Sequence, residues 1–510
     1  DFLEFNDFIE QSLESIEKIK LHADTIGVIV GAPSRNSIPE GKDLFNSAYL
    51  LYENEIKGVV HKTLLPTYDI FDEYRYFEPA YDWSVLEFKG KKLAVTVCED
   101  IWNIDDNPLY RICPMDQLTE QQPDIMINIS ASPFDYTHRE GRMDIVKKNV
   151  EKYKLPMVYC NTVGSQTEIV FDGGSLVMNA RGETVATLPH FEEALQEVSW
   201  KEDGSFSEHA IDTRKELQRD AREFDIYHSQ TGIAEIHAAL VLGIRDYFRK
   251  MGFTKAIVAS SGGIDSALVL ALACEALGAE NVRALLMPSQ FSTTHSVTDA
   301  EQLSRNLDNA YDIIAIRDIF DQYMNALEPV FKELPFSVAE ENLQSRIRGT
   351  LVMALSNKFG SILLNTSNKS ELATGYGTLY GDMAGGLGVL GDVYKTQVYA
   401  LANYINREKE IIPANILTKA PSAELREGQK DSDSLPEYDV LDPILFQYIE
   451  RRQGPKEIVA MGNDATLVKR ILKLVNTNEY KRNQFCPIIR VSPKAFGVGR
   501  RVPIVGTYLT

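Results

Sequence analysis

The chain has 510 residues, beyond the size at which one hydrophobic core usually serves, so two or more domains are expected. Its 53 basic against 73 acidic residues give a formal net charge of -20, which argues against general affinity for nucleic acid or an anionic membrane surface; an anionic substrate must be met by local donors. Five cysteines without CxxC spacing disfavour a disulfide framework or zinc site and fit a reducing, cytoplasmic setting, and no apolar run has membrane-spanning length.

The opening DFLEFNDFIEQSLESIEKI has helical period. Short apolar runs then alternate with turns: TIGVIVGAP, NSAYLLYENEIKGVVHKT, KLAVTVCED, DIMINISASP, MVYCNTVGS and GGSLVMNARGETVATLP read as strands and hairpins. REGRMDIVKKNVEKY reads as a helix between two of them, so residues 1–199 form one α/β domain. Residues 200–228 are polar, with little apolar period, and read as a connector. From 229 to 510 long helical patterns alternate with short apolar strands, among them KAIVAS, NVRALLMPS and YDIIAI, which predicts a doubly wound parallel sheet. The hydrophilic stretch REGQKDSDSLPEYD, residues 426–439, reads as a mobile loop and the first candidate for a lid.

Within KAIVASSGGIDSALV the strand ends near Ala259 and the helix begins near Asp265. Gly262 and Gly263 allow a close backbone approach, so N–H groups and a helix N-terminus can hold phosphate oxygens. The lysine of a Walker loop is absent, and Asp265 is an acid suited to Mg²⁺ beside phosphates. The same residues also suit a plain strand-to-helix turn with Asp or Ser as cap. Elsewhere, Cys98 ends the strand of LAVTVCED and is followed by acids, while Lys62 ends the strand of GVVHK. A cysteine so placed is inert packing or, with an ammonium beside it, a nucleophile whose pKa that charge lowers.

SGGIDS matches the SGGxDS signature of the ATP pyrophosphatases, a likeness that implies adenylation with release of pyrophosphate. ENLQSRIRGTLVMALSN, LLNTSNKSELATGYGTLYGD, KAPSAEL and YKRNQFCPIIRVSPKAFG resemble, in order and spacing, the NAD synthetases. The resemblance implies that Ser260, Ser261, Gly262, Gly263, Ile264, Asp265, Ser266, Met287, Thr366, Lys395 and Ser422 contact ATP. It places Mg²⁺ on Asp265 and Glu371, and deamido-NAD on Asn342, Arg346, Glu371 and Lys481. Taken singly, each of these has a bland reading as cap, solvated face or surface lysine.

Residues 1–199, with NISASPFDYTHREGR and NTVGSQTEIVFDGGSLVMNARG, resemble the nitrilase-type amidases, in particular the glutaminase domain of glutamine-dependent NAD synthetases. That likeness implies an α-β-β-α sandwich, Cys98 as nucleophile, Lys62 as oxyanion partner, and Tyr68, Ser132 and His138 as contacts to glutamine. The family has lysine where this chain has His138, and its general-base glutamate lies ahead of the stretch matched by DFLEFNDF. Glu4, Glu10 and Glu14 belong to the following helix, so the expectation is that a piece carrying that glutamate precedes Asp1 and that glutaminase activity is crippled without it. The implied substrates are deamido-NAD, ATP and glutamine or ammonia, in a homo-oligomer. The alternative is an ammonia-dependent synthetase with an inert or regulatory amidase module. Another amidotransferase on the same loop, or an amidase with a dead ATP domain, fits fewer of these motifs.

Overall fold

The computed structural model describes residues 1–104, 108–201, 204–206, 230–429 and 431–506. Most of the expected connector lies outside the described residues. Contacts divide the chain into two compact units: Asp1–Pro133, Thr137–Gly164 and Phe171–Gln218 form the first, and Phe134–Tyr136, Ser165–Val170 and Arg219–Thr510 the second.

In the first unit α1 (Asn6–Lys20) precedes an antiparallel sheet of β1 (Val28–Arg35), β2 (Leu44–Tyr52) and β3 (Glu55–His61). Glu53 and Asn54 both have left-handed φ, 54° and 59°, as a two-residue hairpin between right-twisted strands requires. A six-stranded sheet is built from β4 (Leu86–Phe88), β5 (Lys91–Val97), β6 (Ile125–Ser130), β7 (Met157–Asn161), β10 (Leu176–Met178) and β11 (Thr184–Thr187), in the order β11-β10-β7-β6-β5-β4. Between β7 and β10, β8 (Val163–Gln166) and β9 (Ile169–Asp172) pair with each other.

Period-two alternation sets the layers. On β2, Ala48 and Leu50 pack against Leu93, Val95 and Val97 of β5, whereas Tyr49 and Leu51 pack with Ile16 of α1. Ala94 and Met126 take the opposite face of the large sheet, against Ile145, Val146 and Val150 of α2 (His138–Tyr153). Helix, sheet, sheet and helix therefore stack as the α-β-β-α sandwich that the resemblance implies.

The second unit carries five parallel strands: β12 (Ala256–Ala259), β13 (Val282–Leu286), β14 (Ala310–Ile313), β15 (Ile362–Asn365) and β16 (Leu387–Gly388). Their order, β14-β13-β12-β15-β16, reverses direction between β12 and β15. That reversal opens a crevice at the carboxyl ends of the two strands, where ligands bind in open α/β sheets. The helix after β12, Ile264–Leu277, is apolar around its circumference and buried from Ser266 to Cys274, as a helix covered on several sides must be. Among the described residues no helix is long and apolar enough to cross a membrane.

Candidate active site

At the carboxyl end of β12 the chain turns through Gly262, whose φ is +78°. A Cβ there would stand 2.2 Å from the Ser296 carbonyl oxygen, so both conformation and space demand glycine. Gly263 has φ of -93° and caps the following helix without a side-chain bond, leaving the first N–H groups of that helix to a ligand. A cavity of about 270 Å³ opens here. Residues 260–266, Met287, Thr366, Glu371, Lys395 and Ser422 all line it, so every position assigned to ATP by resemblance meets in one place. Among the described residues the buried Ser260 hydroxyl has no hydrogen-bond partner, an orphan that a bound polar group would satisfy.

On the other side of the crevice, β15 leads through Thr366 to the short helix Lys369–Thr374. Asn368 and Glu371 form a reciprocal capping box, and Asn368 Nδ2 also donates to Asp265 Oδ1 at 2.9 Å. Asp265 is ion-paired with Lys395, the first residue of the helix Lys395–Ile405. Burial pushes the Glu371 carboxyl well above its ordinary range, the Asp265 charge adds to the rise, and Lys395 opposes it. Burial works against the Lys395 ammonium, but Asp265 and Glu371 outweigh it and hold the proton. Two neighbouring carboxylates, one of them buried beside the charge of the other, suit a hard cation which also meets substrate phosphates. Among the described residues no group of three or more His, Cys, Asp or Glu side chains is arranged to hold a metal by itself.

Asn342, Arg346 and Lys481 do not line that cavity; they converge on the turn that follows. Asn342 Oδ1 accepts from the Thr378 hydroxyl at 2.7 Å, and Arg346 Nε donates to the Leu379 carbonyl at 3.3 Å. Lys481 Nζ donates to the carbonyls of Gly375 and Gly377 at 2.7 and 2.8 Å. Within 426–439, Asp431 accepts from the hydroxyls of Tyr376 and Tyr438 at 3.2 and 3.0 Å, and the Gln429 carbonyl accepts from the Ser422 hydroxyl at 2.6 Å.

In the first unit Cys98 follows β5 with φ of +46°, a left-handed conformation that a β-carbon resists and that is common at reactive residues. Lys62 is 1% exposed, and both Glu73 carboxylate oxygens accept from its ammonium, at 2.7 and 2.8 Å. Burial pushes the Cys98 thiol up; Lys62 pulls it down, and Glu73 and Glu99 push it further up. The lysine thus acts in the expected direction, but burial outweighs it. The Tyr68 hydroxyl donates to Glu99 Oε1 at 2.8 Å and Tyr110 to the same oxygen at 3.2 Å. Ser132 is buried, with its N–H on Asn161 Oδ1 at 2.9 Å. His138 begins α2, and its side chain lies outside the described residues. Glu4, Glu10 and Glu14 are exposed, and Glu10 pairs with Arg35. Glu73 has no signal in the sequence because it lies eleven positions beyond Lys62; only the fold brings the two together.

A family model described as carbon-nitrogen hydrolase matches residues 2–201, and one described as NAD synthase matches residues 236–485. A glutamine-dependent NAD(+) synthetase from Synechocystis sp. is 44% identical over 508 residues, covering 98% of this chain and 89% of that protein. The chain belongs to the glutamine-dependent NAD(+) synthetases. Another glutamine-dependent NAD(+) synthetase, from Thermotoga maritima, is 40% identical over 523 residues, covering 98% and 89% of the two chains. A solved glutamine-dependent NAD+ synthetase from Acinetobacter baumannii, in complex with adenosine diphosphate, matches with a TM-score of 0.74 at 36% identity, covering 100% of this chain and 89% of that one.

Proposed function

We propose that the chain makes NAD from deamido-NAD, ATP and glutamine, releasing AMP, pyrophosphate and glutamate. The observation that carries the synthetase half is the meeting of the Gly262 loop, Thr366, Lys395 and the Asp265–Glu371 pair around one cavity. The nicotinate carboxylate attacks the α-phosphorus of ATP, the bond to the β-phosphate breaks, and pyrophosphate leaves. Ammonia then adds to the activated carbonyl carbon and expels AMP. The loop N–H groups and the Lys395 ammonium would offset the charge that gathers on the phosphates. Asp265 and Glu371 would hold Mg²⁺, which when bound supplies positive charge against those oxygens.

In the first unit Cys98 Sγ attacks the side-chain amide carbon of glutamine, the C–N bond breaks as the thiol proton passes to the nitrogen and ammonia leaves, and water then cleaves the thioester to glutamate and the free thiol. Lys62, steered by Glu73, supplies an N–H to the developing oxyanion, while Glu99, Tyr68 and Ser132 line the glutamine site. His138 would take the place of the family lysine. Near full-length likeness to glutamine-dependent enzymes favours this reading over an inert amidase module. Five free cysteines agree with a reducing cytoplasm. Phosphorus NMR of the products tests the proposal: AMP and pyrophosphate in equal amounts with NAD are expected. ADP and inorganic phosphate would refute adenylation.

A further inference from the structure

The side chain that links the two catalytic strands of the first unit is Asp100. Its Oδ1 accepts from the N–H groups of Thr63 and Leu64 at 3.0 and 2.8 Å, the two residues immediately after Lys62. Its Oδ2 accepts from the N–H of Val97 at 3.1 Å, the residue immediately before Cys98. Asp100 is 2% exposed, so these charge-assisted bonds are shielded from water. Packing contributes less on one side, because a small cavity of about 70 Å³ is bordered by Asp100, Thr63 and Thr96. Cys98 must also be kept in its left-handed conformation, which relaxes unless its surroundings fix it.

We propose that Asp100 is a positioning residue that clamps the Lys62 and Cys98 strand ends together and so sets the distance from ammonium to sulfur. The inference rests on Cys98 as the nucleophile, and it concerns neither glutamine contact nor proton transfer. Substituting Asp100→Asn keeps the shape but turns an amide N–H₂ toward one set of backbone donors, opening the clamp. It also removes an anion from the neighbourhood of Lys62 and Cys98. The two effects have opposite signs: loss of the anion alone lowers the pH at which the thiol ionises, whereas separation of Lys62 from the sulfur raises it.

The test is the pH profile of Cys98 alkylation by iodoacetamide, read by peptide mass spectrometry, with the exposed Cys160 as internal control. In Asp100→Asn the Cys98 midpoint is expected to rise by about one pH unit, with alkylation about tenfold slower below it and Cys160 unaffected. A midpoint that stays or falls overturns the proposal. If Asp100→Asn does not fold, Asp100→Glu carries the same test with the charge retained. A raised midpoint supports the clamp, and an unchanged one overturns it. Since no glutamine is used, a wild-type chain lacking glutaminase activity would sink the functional reading while leaving this result legible.

Discussion

At Glu371, burial and the Asp265 charge both disfavour the ionised carboxylate, so the folded chain holds its proton to higher pH than the unfolded chain does. By linkage, this group's contribution to stability falls as pH rises from the ordinary carboxylate range through the raised folded value. Glu371→Gln removes the penalty: the ligand-free variant should melt at a higher temperature than the wild type at neutral pH and gain nothing from Mg²⁺ with ATP, while NAD formation drops at least about 100-fold. Calorimetry with and without Mg-ATP checks both parts. At Glu73, substitution by Gln frees the Lys62 ammonium; glutamine-supported NAD formation should fall by about 100-fold with the ammonium-supported rate unchanged, as paired donor assays would show. Cys98, Lys62, Asp265 and Glu371 stand out as candidates in the sequence because each sits in a short motif. Glu73 and the linking role of Asp100 do not, because they act through partners that only the fold brings near.

The short helix Lys369–Thr374 shows how an element too small to be stable alone is fixed in place. Lys369 is fully buried, and its ammonium meets Asp392 at 2.8 Å, Glu450 at 2.7 Å, the Ser492 hydroxyl at 2.8 Å and the Lys494 carbonyl at 3.0 Å. Lys369→Met would leave two buried carboxylates unpaired, at a cost of about 3–5 kcal/mol, measurable by urea unfolding. The loop after β12 makes the complementary point about space. Gly262→Ala forces a Cβ onto the Ser296 carbonyl at a positive φ, so NAD formation should be lost with either nitrogen donor while Cys98 alkylation is unaffected. The sequence marked this loop through its glycines and Asp265, but the Lys369 anchor has no local signature: its partners lie 23 to 125 residues further along the chain.

Across the molecule, the parallel sheet of the second unit was readable because short apolar runs alternate with long helical patterns, whereas the first unit joins antiparallel pairs to the parallel run β5-β6-β7. Strands of the first unit alternate between two buried faces, as Ala48 and Tyr49 do, while β12, β13 and β15 are apolar runs framed by helices, which marks a parallel sheet. Less readable was the grouping of Phe134–Tyr136 and Ser165–Val170 with the second unit, since short loop segments carry no period of their own. Motif order placed the cavity, but the separate cluster of Asn342, Arg346 and Lys481 on the 375–379 turn emerged only from three-dimensional contacts. The central claim is that one unit forms the amide and the other supplies its nitrogen through Cys98. The most direct test is NAD formation by the wild type and Cys98→Ala, each with glutamine and with ammonium chloride. The account predicts that Cys98→Ala loses the glutamine-supported reaction and keeps the ammonium-supported one; glutamine-supported NAD formation by Cys98→Ala would contradict it.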